Sequence, residues 1–117
     1  MIRILGIDPG LAHTGYGIIQ IHSGKYRYLG HGVISTPAGD GTGKRLAVIY
    51  RTIRDLIDEY SPTEAGIESL YFARNITSAL PVAQAKGVIL LALEERNIPC
   101  REYPPQAIKQ ADRKSVV

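Results

Sequence analysis

The sequence has a single cysteine, Cys100, among its 117 residues. One thiol excludes an intrachain disulfide and any cysteine-rich zinc site, and it agrees with a reducing compartment. No apolar run approaches the ~20 residues of a membrane span. The apolar opening Met1-Ile2-Arg3-Ile4-Leu5-Gly6-Ile7 meets Asp8 too early for a signal-peptide core followed by a cleavage site. Secretion and membrane insertion are therefore disfavoured, and a cytoplasmic protein is expected. Charge of one sign is also scarce: 14 Lys and Arg against 11 Asp and Glu give +3 and a pI near 9.1. That balance permits a polyanionic partner without indicating one. Internal repeats are missing, as are low-complexity tracts beyond one glycine-containing loop.

What is present is an ordinary globular balance, 44% hydrophobic and 21% charged, long enough for one compact domain with one core. Ile2, Ile4, Leu5 and Ile7 form a β-branched-rich run that Asp8-Pro9-Gly10 stops and turns. Thr14 to Ile21 and Tyr26 to Ser35 are rich in Tyr, Ile and Val and flank His22-Ser23-Gly24-Lys25, a connection suited to a hairpin. Three antiparallel strands are expected to open the fold. From Thr36 to Gly43, Pro37, Gly39, Gly41 and Gly43 predict a loop and exclude a helix. Leu46, Ile49, Tyr50, Ile53, Leu56, Ile57 and Tyr60 then recur at steps of three and four, which predicts an amphipathic helix from Lys44 to Tyr60.

Ser61-Pro62 ends that helix, and Glu64-Ala65-Gly66-Ile67-Glu68 reads as a short buried strand whose last residue is an acid. A second helix is predicted from about Ser78 to Arg96, with Pro81 tolerable in its first turn. Ala79, Ala83, Ala85, Gly87 and Ala92 would admit a close backbone, while Leu80, Val88, Ile89 and Leu91 supply burial. A core helix and a dimer helix both fit that pattern. Ile98 to Tyr103 reads as a last strand, and Pro104-Pro105 can start a helix at Gln106. Strands alternating with helices after a meander imply an α/β fold, a mixed sheet flanked by helices.

Asp8 stands at the carboxyl end of the first strand, bounded by Gly6 and Gly10 and followed by Gly15-Tyr16-Gly17. An acid on a rigid strand end with bare backbone nearby suits a metal and an approaching phosphate. Asp-Pro-Gly is equally an ordinary turn. Glu68 alters the weighing: if the first and fourth strands are neighbours, both acids project into one crevice at the carboxyl edge. Two carboxylates so close repel unless a divalent cation sits between them, which points to Mg²⁺ or Mn²⁺. On the bland reading Glu68 simply ends a strand and faces water.

Tyr71-Phe72-Ala73-Arg74-Asn75 comes next, two aromatics with a base and an amide, suited to stacking on unpaired bases and touching a phosphate. For an adjacent pair, one ring inward and one outward is the common outcome, with Phe72 the better core candidate. Lys109 follows the last strand by six residues and could reach the same edge, although a lone lysine on a helix is usually solvated surface, and the same holds for Arg113 and Lys114. His13, His22 and His31 lack ligand spacing, and Cys100 within an apolar strand reads as a buried small residue.

Leu5-Gly-Ile-Asp-Pro-Gly with Thr14-Gly-Tyr-Gly, Ala65-Gly-Ile-Glu68 with Tyr71 and Asn75, Ala83-Gln-Ala-Lys-Gly87 and Ile108-Lys-Gln110 together resemble the RuvC family of Holliday-junction resolvases, colinearly from residue 1 to about 111. The resemblance implies a ribonuclease-H-like fold, a homodimer, and Mg²⁺-dependent nicking of two symmetric strands of four-way junction DNA in recombination and repair. By position, Asp8 and Glu68 match the first two metal-binding catalytic acids, Tyr71 the aromatic near the junction centre, and Lys109 and Lys114 basic residues near the scissile phosphate. It also implies a RuvA–RuvB branch-migration complex as partner. Family members continue through a glycine-containing loop to a final helix with two more acidic or histidine ligands. The stretch Gln110 to Val117 departs from that pattern, so residues 1–117 are read as one ribonuclease-H-like domain without the family's C-terminal helices. The alternatives are a non-catalytic nucleic-acid-binding module of the same fold, a related YqgF-type RNA-processing nuclease, against which the Glu68 to Asn75 motif argues, and, further off, an actin-like ATP-binding domain.

Overall fold

The computed structural model describes residues 1–68 and 76–103. Its elements run β1 (Ile2–Asp8), β2 (His13–His22), β3 (Lys25–Ser35), α1 (Thr42–Tyr60), β4 (Glu64–Glu68), α2 (Ile76–Glu95) and β5 (Cys100–Tyr103). The sheet is ordered β3-β2-β1-β4-β5. β1 pairs antiparallel with β2 and β2 with β3, while β4 lies parallel to both β1 and β5. The expected mixed sheet of three antiparallel strands followed by parallel ones is therefore present, with β1 and β4 neighbours.

The side-chain period of two sorts every strand into two faces. Leu5, Ile7, Ile18, Ile34, Ala65 and Ile67 fall on one face by register and are all buried. They form one cluster with Ile49, Ile53, Leu56 and Ile57 of α1 and Ala85, Ile89, Ala92 and Leu93 of α2. Full burial of each large aliphatic chain contributes about 1.5–3 kcal/mol. The other face carries Ile4, Gly6 and Asp8 of β1 beside Gly15, Gly17 and Ile19 of β2 and Glu64, Gly66 and Glu68 of β4. None of those residues belongs to the buried cluster.

Local sequence explains the element ends, with corrections at the helices. α1 begins at Thr42 rather than Lys44, because Gly41 takes an extended cap conformation, φ −65° and ψ 153°, and helical geometry can start directly after it. It stops at Ser61, which adopts a left-handed φ of 47° and returns its N–H to the Ile57 carbonyl at 2.9 Å before Pro62. α2 starts at Ile76, two residues earlier than Ser78, so Pro81 lies one turn inside the helix instead of in its first turn. Leu80 and Leu91, expected to supply burial, are 56% and 53% exposed. Leu93 takes that place in the core. The chain leaves α2 through Asn97, φ 57°, and Ile98 N–H bonds back to the Leu93 carbonyl at 3.0 Å. β5 therefore begins at Cys100 rather than Ile98, and the predicted helix at Gln106 lies outside the described residues.

Candidate active site

Asp8 and Glu68 are the last residues of β1 and β4. The parallel register runs from Ile4 opposite Glu64 to Ile7 opposite Ile67, and one further step sets Asp8 beside Glu68. Register neighbours share a face, and paired strands lie about 4.8 Å apart. Both acids therefore stand on the face opposite the helices, at the carboxyl edge. Asp8 is exposed and Glu68 half-buried. Among the described residues no group of three His, Cys, Asp or Glu could hold a metal. Two adjacent carboxylates nonetheless fit a hard divalent cation such as Mg²⁺, which completes its coordination with water and phosphate oxygens.

Glycines flank the acids on both neighbouring strands. A Cβ built on Gly15 would stand 3.8 Å from the Asp8 Cβ, so that flank holds only backbone. Gly6 and Gly66 face each other across β1 and β4 on the same side. β5 pairs Tyr103 with Glu68, and its ring lies over Gly66, where a Cβ would come within 2.8 Å of Cε2. Tyr103 is thus a site neighbour that the sequence did not reveal, because its position depends on the β5 register and on the gap at Gly66.

The loop leaving Asp8 is fixed from three sides. Gly10 passes so close to His13 that a Cβ there would meet its carbonyl oxygen at 2.3 Å. The Thr14 hydroxyl donates to the Gly10 carbonyl at 2.6 Å and accepts the Gly10 N–H at 3.2 Å. Thr36 donates its hydroxyl to the Leu11 carbonyl and accepts Arg45 Nε at 2.9 Å, tying the loop to the first turn of α1. Thr14 is wholly buried and Thr36 nearly so. In the sequence Thr14 stands out only as the first letter of Thr-Gly-Tyr-Gly; its four-residue spacing from Gly10 is the signal that could have found it.

Tyr71, Arg74, Asn75, Lys109 and Lys114 lie outside the described residues. His13 Nδ1 meets Ser35 Oγ on the neighbouring strand at 3.0 Å, and His31 meets the Tyr28 hydroxyl. Cys100 is half-buried rather than buried, and burial, more than the nearby Glu102, pushes its thiol pKa up. No described helix is long and apolar enough to cross a membrane.

α2 is apolar on two sides. Leu80, Ala83, Gly87 and Leu91 recur at helical spacing and are exposed, opposite the core face of Ala85, Ile89 and Ala92. This stripe combines large side chains with a bare patch of backbone, a surface another helix can approach closely.

A protein-family profile described as "Crossover junction endodeoxyribonuclease RuvC" matches residues 4–113. The protein of that description from Treponema denticola is 48% identical over 108 residues, covering 92% of this chain and 61% of its own length. The chain thus spans about three fifths of that relative. Among solved structures, Thermus thermophilus RuvC in complex with Holliday junction substrate superimposes with a TM-score of 0.86 at 28% identity, over 95% of this chain and 68% of that one. The yeast mitochondrial Holliday junction resolvase Ydc2 shares the fold, with a TM-score of 0.66 at 18% identity over 93% of this chain and 55% of that one.

Proposed function

The chain belongs to the RuvC family of crossover junction endodeoxyribonucleases, and on that premise we propose that residues 1–117 form one ribonuclease-H-like domain that recognises four-way junction DNA and carries two acids of a metal-dependent nicking site. The observation that carries the reading is that Asp8 and Glu68 end adjacent parallel strands whose register runs to Ile7 opposite Ile67. In it, Asp8 and Glu68 hold Mg²⁺, with Mn²⁺ as substitute. A bound divalent ion supplies an acidified water and charge neutralisation at the phosphate. The chain's own contribution is rigid placement: strand ends fix the two carboxylates, and Gly6 and Gly15 leave bare backbone beside them for a phosphate.

Recognition is assigned to Tyr71 stacking near the junction centre, with Arg74, Asn75, Lys109 and Lys114 on the DNA backbone. Two symmetric nicks require two sites, and the exposed stripe of Leu80, Ala83, Gly87 and Leu91 on α2 supports a second copy of the chain as partner. A RuvA–RuvB branch-migration complex and a cytoplasmic setting belong to the same reading. The second reading, a junction-binding module without catalysis, is favoured by one observation: the described residues offer two acids and no third ligand.

A labelled synthetic four-way junction with Mg²⁺, beside a linear duplex of the same sequence, tests both. Expected are preferential junction retention on a native gel and paired symmetric nicks on a denaturing gel. Retention without nicks selects the binding module. Equal retention of duplex and junction contradicts both.

A further inference from the structure

Asp8 ends its strand and is exposed, so neither sheet pairing beyond it nor burial fixes where its carboxylate stands. The next two residues supply the constraint. The backbone leaves through Pro9, which is buried, and reaches Gly10, whose N–H and carbonyl are both held by the single hydroxyl of Thr14. Thr14 is itself wholly buried on β2, one residue before Gly15, the register partner of Asp8. The hydroxyl therefore joins the residue two beyond Asp8 to the strand that pairs with Asp8, closing a short loop around the acid.

We propose that Thr14 is a positioning residue for Asp8: its hydroxyl, by holding both polar groups of Gly10, fixes the exit of β1 and so the direction in which the Asp8 carboxylate meets Glu68 and a shared divalent cation. The inference deepens the metal reading above and rests on it. Valine at this site keeps the shape and removes both hydrogen bonds, leaving the Gly10 N–H and carbonyl without a fixed partner. The exit turn then samples other conformations, and the carboxylates lose the preorganised spacing that a two-acid site depends on. Serine keeps the hydroxyl and restores it. Thr36, anchored by Arg45 and bonded to the Leu11 carbonyl, holds the next residue but does not reach Gly10.

The test is Mn²⁺ affinity, measured by calorimetry on the full 117-residue chain, for the wild type, Thr14→Val, Thr14→Ser and Asp8→Asn, with hydrogen exchange at the Gly10 amide of the wild type. Expected are at least tenfold weaker Mn²⁺ binding in Thr14→Val with cooperative unfolding retained, binding within threefold of wild type in Thr14→Ser, and a Gly10 amide protected in the wild type. Thr14→Val binding Mn²⁺ as tightly as wild type, while Asp8→Asn has lost it, overturns the positioning role alone. Equal Mn²⁺ binding by wild type and Asp8→Asn overturns the metal reading beneath it. If Thr14→Val does not fold, an unprotected Gly10 amide or a tenfold loss in Thr14→Ser overturns the proposal, and protection with retained affinity supports it.

Discussion

The two faces of the sheet are built from alternate residues of the same strands, yet they do opposite work. On one, Leu5, Ile7, Ile18, Ala65 and Ile67 are buried under α1 and α2 and hold the fold together. On the other, one residue along in each case, stand Gly6, Asp8, Gly17, Gly66 and Glu68, which add little to any core. A strand can fix a carboxylate firmly because its neighbours on the opposite face are clamped. The difference teaches that the site is a by-product of packing on the far side: Ile7 and Ile67, paired and fully buried, locate Asp8 and Glu68 one residue beyond them.

The comparison is broken most severely from the buried side. Ile67→Ala leaves a cavity in the core shared with α1 and α2 and should cost about 3 kcal/mol of unfolding free energy, read from denaturant melts. Val33→Ala on the open face, at a side chain 61% exposed, should change it by less than about 0.5 kcal/mol. An equal loss at both positions would show that the open face is as tightly packed as the other. Next in size is Gly66→Ala, whose Cβ would press on the Tyr103 ring at 2.8 Å. Tyr103 lies on an edge strand and can shift, so a cost of about 1–2 kcal/mol is expected. Tyr103→Ala in the same background should recover most of it, the coupling being read from a double-mutant cycle.

The smallest effect concerns Cys100. Burial raises its thiol pKa, with Glu102 adding to the shift and Lys86 opposing it. Less thiolate is present at a given pH than in a free thiol. Alkylation by iodoacetamide at pH 8 should therefore run more slowly than for glutathione, and the two rates should converge when the chain is unfolded in urea. A faster native rate would contradict the assigned direction.

Much of this was legible in the residues. Asp8-Pro9-Gly10 and the His22 to Lys25 connection bound the first three strands to within a residue, and Glu64 to Glu68 coincides with β4. The expected neighbourhood of the first and fourth strands is present, so Asp8 and Glu68 end adjacent parallel strands. α2 was less legible because apolar residues occupy two sides of it, so periodicity alone could not say that Leu93 is buried and Leu80 and Leu91 exposed. Gly41, Thr42 and Gly43 hid the start of α1, since weak helix formers at an end are overruled by the turns after them. Tyr103 and Thr14 act through register and hydrogen bonds between elements, which spacing does not encode.

The central claim is that Asp8 and Glu68 share a divalent cation instead of serving the fold. Thermal unfolding of the wild type and Asp8→Asn, each in chelator and in Mg²⁺, tests it most directly. Without metal the variant should be no less stable than the wild type, because an exposed like charge beside Glu68 has been removed. Mg²⁺ at 100 times its dissociation constant should stabilise the wild type by about 2.7 kcal/mol and leave the variant unmoved. Equal stabilisation of both, or a variant less stable than wild type in chelator, would contradict the claim.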